Sequence, residues 1–118
     1  MRHRVKTTKL KREKAPRQAL LRSLVRSMVL QGKLETTLAK AKTLQPLVER
    51  LITVAKRKDR QAKRLLLKHT HSSSVTDKLI KEFAEKFASR EGGYTRIRRT
   101  GNRKGDGATL AHISFVSR

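Results

Sequence analysis

The chain has 118 residues, with 31 Lys or Arg against 9 Asp or Glu, a net charge of +22 and an apolar share of 36%. This is the length of one ordinary domain, and the apolar share lies below the ~45–50% of most globular chains, so part of the chain belongs outside any core. The absence of cysteine excludes disulfides, thiolate catalysis and cysteine-ligated zinc, and no apolar run approaches the ~20 residues that cross a bilayer.

Residues 1–15 read as a basic arm: Arg2, Arg4, Lys6, Lys9, Lys11, Arg12 and Lys14 stand against Glu13 alone. The arm has too little apolar surface to offset its ordering entropy, so it is expected to be disordered in isolation and to fold against a partner. It has no hydrophobic segment of the kind a secretory signal needs and is read as part of the mature protein. Residues 16–118 are read as one globular domain. Pro16 suits the first turn of a helix. Leu20, Leu21, Leu24, Val25, Met28 and Val29 then recur with helical period, while Arg22 and Arg26 share another face, and Gly32 stands where a left-handed cap is common. KLETT, Lys33 to Thr37, is β-prone and predicts a brief strand, after which Thr36 or Thr37 caps a second helix. That helix buries Leu44, Leu47, Val48, Leu51, Ile52 and Ala55, with a kink or break expected at Pro46. Asp59 caps a third helix from Arg60 to about Lys68, with Ala62, Leu65 and Leu66 inward. Ser74 or Thr76 caps a fourth, ending near Ser89, in which Leu79, Ile80, Phe83 and Phe87 face the core.

After Gly92 and Gly93 the period changes from 3.6 to 2. Two alternating runs, YTRIRRT and TLAHISFV, joined by a glycine-rich loop, predict an antiparallel hairpin with Ile97, Ala111, Ile113 and Phe115 facing inward. The fold class is therefore α+β: about four helices on a small sheet, with a C-terminal hairpin and an extended basic N-terminal arm. Gly101, Gly105 and Gly107 shape the hairpin tip, where bare backbone amides are expected to approach a phosphate, flanked by Arg98, Arg99, Arg103 and Lys104. Tyr94 is expected to pack at the start of the hairpin, with stacking on a nucleobase as the alternative.

A charge of +22 on so small a body repels itself and calls for a polyanion. Nucleic acid, whose bound counterions are released on contact, fits best. An anionic membrane fits less well, because the basic helices lack Trp and commit their apolar sides to a core. GNRKGDGA lacks the Gly-Lys-Ser/Thr of a Walker loop, and GDGATL fails the dinucleotide fingerprint. His3, His69, His71 and His112 have no neighbouring Cys or acid in the sequence to complete a metal site. No acid–base constellation marks an enzyme, and no helix-turn-helix of normal spacing supports the rival reading of a DNA-compacting protein.

Several motifs in order, MRHR, LLRSLVRSMVLQGKLETTLAKAK, GGYTRI and GDGA, resemble the bacterial large-subunit ribosomal protein L17 family from Met1 to about Val116. LETTLAKAK and GGYTRI are the most specific of them. The resemblance implies a non-enzymatic constituent of the large ribosomal subunit, one copy per ribosome, without cofactor, metal or small-molecule substrate. It implies binding to large-subunit rRNA near the nascent-chain tunnel exit, beside neighbouring large-subunit proteins. By the match, Arg2, His3 and Arg4 enter the RNA, and Lys9, Arg12 and Arg17 follow along it. Arg96, Arg98 and Arg103 contact it from the hairpin, and Lys40 and Lys42 meet phosphate from the signature. Lys6, Lys11, Arg22, Arg99 and Lys104 complete the candidate set. Family members often carry Gly-Arg near Val5-Lys6 and Ser-Ser-His near Lys14 to Pro16, which this chain does not. Organellar relatives usually extend beyond the last strand, so an end at Arg118 favours a bacterial cytoplasmic ribosome.

Overall fold

The computed structural model describes residues 13–116. The expectations for Arg2, His3, Arg4, Lys6, Lys9, Lys11 and Arg12, and for the arm's disorder, lie outside the described residues. Helix α1, Lys14–Gln31, starts two residues before Pro16, which falls in its first turn, where a missing N–H costs nothing. Val25, Met28 and Val29 are buried, while Leu20, Leu21 and Leu24 are half-buried. Gly32 ends the helix with φ 81°, and its N–H donates to the Met28 carbonyl at 2.7 Å. Only glycine holds that conformation without strain.

Strand β1, Lys33–Thr37, follows at once. Thr37, rather than Thr36, caps helix α2, Leu38–Ala55, its hydroxyl accepting from the Lys40 amide. Pro46 does not break this helix. It sits at an exposed position, on the side of the helix where an unpaired carbonyl costs least. Ala41, Leu44, Val48, Leu51, Ile52 and Ala55 are buried; Leu47 is not fully covered. Helix α3, Arg60–Thr70, starts at the Asp59 cap, whose carboxylate accepts from the Ala62 amide at 2.7 Å, and runs two residues past Lys68. It meets the body through Ala62, Leu66 and Thr70, spaced four apart. Leu65 falls off that stripe and is 38% exposed, contrary to its expected inward position.

Helix α4, Ser73–Lys78, is capped by Ser72, whose hydroxyl accepts from the Val75 amide. Neither Ser74 nor Thr76 plays that part: Thr76 is buried, with its hydroxyl 2.9 Å from that of Thr70. A π-helical turn, Leu79–Phe83, leads into the short α5, Ala84–Lys86, so the regular helix ends before Ser89. The insertion keeps Leu79, Phe83 and Phe87 on one buried side. The Phe83 ring lies 4.3 Å from that of Phe115, and the Phe87 ring 5.1 Å from that of Tyr94. The phenylalanine pair is core.

Strands β2, Thr95–Asn102, and β3, Thr109–Phe115, form the hairpin. β1 completes an antiparallel sheet in the order β1-β3-β2, so the last strand is the central one. One sheet face packs on the helices: Ala111 and Ile113 are buried, with Leu34, Ile97 and Phe115 packed against them.

Candidate nucleic-acid interface

The other face of the sheet is built by the same alternation that buries its reverse. The register sets Lys33, Ser114 and Arg96 in one row across the three strands, and Glu35, His112 and Arg98 in the next. Arg96, Arg98, His112 and Ser114 line a shallow depression of about 180 Å³. Three cations, Lys33, Arg96 and Arg98, and the His112 imidazole thus stand on one face, with Glu35 the acid among them. Lys33 and His112 were not among the sequence candidates. The signal for His112 lay in TLAHISFV, where it alternates with Ala111 and Ile113; Lys33 needed the long-range pairing of β1 with β3.

This face is fixed to the body at the start of β2. The Thr95 amide and hydroxyl both donate to the Glu49 carboxylate of α2, at 3.2 and 2.8 Å, and the Gln45 amide donates to the Thr95 hydroxyl at 3.0 Å. Tyr94, just before, is 2% exposed. Its hydroxyl donates to the Arg90 carbonyl and accepts from Lys56 Nζ, which also sits 5.3 Å above the ring. It packs and is closed to a nucleobase.

Beyond this root the hairpin leaves the helices. The register steps between Arg99 and Gly101, leaving Thr100 without an opposite residue. Arg99 pairs across from Ala111 on the core-facing side, yet is exposed because no helix extends beneath it. Lys104 is exposed at the tip. Arg103 has a duty inside the loop: Nε and Nη2 donate to the two Asp106 oxygens at 3.1 and 2.6 Å, and Asp106 also accepts from the Ala108 amide. The Arg103 hydrogen bonds, then the Ala108 amide, hold the Asp106 carboxyl well below the ordinary carboxylate range. The Gly107 amide is spent on the Arg103 carbonyl at 3.0 Å. The tip glycines therefore serve backbone shape, with φ of 98° at Gly105 and 71° at Gly107.

The remaining candidates lie in two other places. Lys40 and Lys42 are in the first turns of α2; Thr37, just before them, shares a row with Leu110 and Gly101, so they stand at the tip end of the sheet. Arg17 and Arg22 are half-buried on α1. Arg22 does not join the sheet face; it lines a separate cleft with Gln18, Leu21, Leu47, Lys68, His69 and His71. Burial, then Lys68 and Arg50, lower the His69 pKa and favour its neutral ring. Among the described residues, carboxylates pair with Arg57, Lys58, Lys63, Lys78 and Arg103. Arg17, Arg22, Lys40, Lys42, Arg96, Arg98, Arg99 and Lys104 have no such partner within that set.

Comparison with known proteins agrees with the motif pattern. Residues 20–116 match the family model described as ribosomal protein L17. A large ribosomal subunit protein bL17 of Gemmatimonas aurantiaca is 51% identical over 116 residues, covering 98% of each chain. Those of Sulfurihydrogenibium and Campylobacter lari are each 48% identical, over 98% and 99% of this chain and 97% and 100% of their own.

Proposed function

Because the chain belongs to the ribosomal protein L17 family, we propose that it is a structural component of the bacterial large ribosomal subunit. It binds large-subunit rRNA near the exit of the nascent-chain tunnel, next to other large-subunit proteins. It works in the cytoplasm, as one copy per ribosome, and catalyses nothing. The observation that carries the RNA reading is the open sheet face, where Lys33, Arg96 and Arg98 stand in register beside His112, with Glu35 the acid among them and no ion pair to these cations among the described residues.

The mechanism is electrostatic and geometric. Cations whose backbone is fixed by a buried reverse face displace counterions from the RNA with only their side chains left to order. Arg96 and Arg98 offer planar forks to phosphate. Lys40, Lys42, Arg99 and Lys104 extend the field toward the hairpin tip, and the basic arm, residues 1–15, adds charge at the N-terminal side of the body. Large folded RNA is read through backbone shape, 2′-hydroxyls and unpaired bases, which suits a charged surface with few exposed aromatics.

The test is sedimentation of lysate from cells making a tagged copy, through a sucrose gradient at high salt. Retention in the large-subunit and whole-ribosome fractions is expected. Release to the top, or sedimentation abolished by DNase, would leave generic polyanion binding or the DNA-compacting rival. Removal of residues 1–12 is expected to leave the body folded and to weaken incorporation; unchanged incorporation would take the arm out of the mechanism.

A further inference from the structure

A second surface has a different chemistry from the sheet face. The cleft between α1, α2 and the end of α3 has a volume of about 380 Å³, toward the small end of the ~300–1,000 Å³ typical of small-ligand sites. Leu21 and Leu47 are its apolar lining, and Gln18, Arg22, Lys68, His69 and His71 complete it. None of its lining residues is acidic. Gln18, Leu21 and Arg22 come to one side because they are three and four apart on α1. His71 is placed by the left-handed end of α3, at φ 52°.

We infer that this cleft takes one unpaired nucleotide of the bound RNA. Its base lies on Leu21 and Leu47 against the imidazoles, and its phosphate lies between Arg22 and Lys68. The inference rests on the rRNA reading above. The imidazole planes of His69 and His71 suit stacking on a base, and the two leucines give its other surface an apolar contact. The Gln18 amide carries both a donor and an acceptor for a base edge. The cationic rim matches a phosphate and rejects the basic arm of this same chain, which carries the same sign. The depression on the sheet face holds about 180 Å³; this cleft, at about 380 Å³, has more room for a base that has left its helix.

The chain has no cysteine, so Gln18→Cys supplies a unique thiol for a short photocrosslinker. The full-length derivative is assembled into large subunits, irradiated, and its crosslinks mapped by primer extension. A crosslink to an unpaired nucleotide is expected. That nucleotide should also gain several-fold reactivity toward dimethyl sulfate in subunits carrying Leu21→Trp, which fills the cleft. His71→Asn removes a ring while keeping a residue that accepts the left-handed conformation, and gives the same readout if Leu21→Trp does not enter subunits. Crosslinking to a neighbouring protein, crosslinking only to paired RNA, or unchanged reactivity in both variants overturns the cleft assignment. Absence of the wild-type chain from large subunits would instead overturn the ribosomal reading beneath it.

Discussion

The hairpin is two regions with different physics. Its root, Thr95 to Arg98 with Ala111 to Phe115, gets its geometry from burial: Ile113 is fully covered, and Thr95 is tied to Glu49 and Gln45 of α2. Its tip, Arg99 to Ala108, has no helix behind it; past the last pairs with β3 its loop is shaped by two backbone hydrogen bonds and the Arg103–Asp106 pair. The root therefore presents cations on a backbone already in place, whereas the tip presents cations on a loop whose shape depends on contacts in water. A partner gains most from the first, because little freedom is lost on binding, and adapts more readily to the second.

The strongest way to break this contrast is to hollow the root. Ile113→Ala is expected to cost ~2–5 kcal/mol in urea unfolding; a loss below ~1 kcal/mol would mean that the sheet does not hold the root. Glu49→Ala comes next, since it strips the buried Thr95 of its acceptor, with an expected cost of ~1–3 kcal/mol. Replacing Arg96 and Arg98 by Ala tests function without touching the core. Stability should stay within ~0.5 kcal/mol, while the logarithmic salt dependence of binding to large-subunit rRNA should fall by ~0.7–0.9 per lost phosphate contact. An unchanged slope would place both arginines in solvent in the complex.

The smallest effect is at the tip. Asp106→Asn should leave the unfolding midpoint unchanged but shift the Ala108 amide resonance as the loop loosens. The pH response follows from the depressed carboxyl. Loop order is fully present above the ordinary carboxylate value of 3.8 and is lost only in stronger acid, as Asp106 itself takes a proton. A transition of that amide near pH 6 would assign the tip's order to another group.

Much of this was legible in the chain because it is local. Gly32, Asp59 and the change of period after Gly93 mark boundaries by rules that act within one turn, and the inward set of Ile97, Ala111, Ile113 and Phe115 follows from alternation alone. What was hidden needed the third dimension. Ser72 rather than Ser74 is the cap because Thr70 and Thr76 bond to each other beneath it. Leu65 is outside because α3 meets the body along a narrow stripe. Arg103 reads in the sequence only as a cation; its tie to Asp106 exists because the loop brings them within 2.6 Å. Lys33 and the arginines of β2 share a face only because β3 lies between their strands, and the cleft needs three helices to exist.

The placement of β3 has a consequence for the order in which the molecule takes shape during its own synthesis. β1 is made early and β2 later, yet neither pairs with the other; both pair with β3, which follows them. The helices need only local backbone bonds to take shape, but the two outer strands wait for the same late segment. When it arrives, the apolar lid over the helices and the charged surface above it are completed in one event. Until then there is no assembled sheet face for RNA to grip, so the nascent chain is silent on that side while it is still being made.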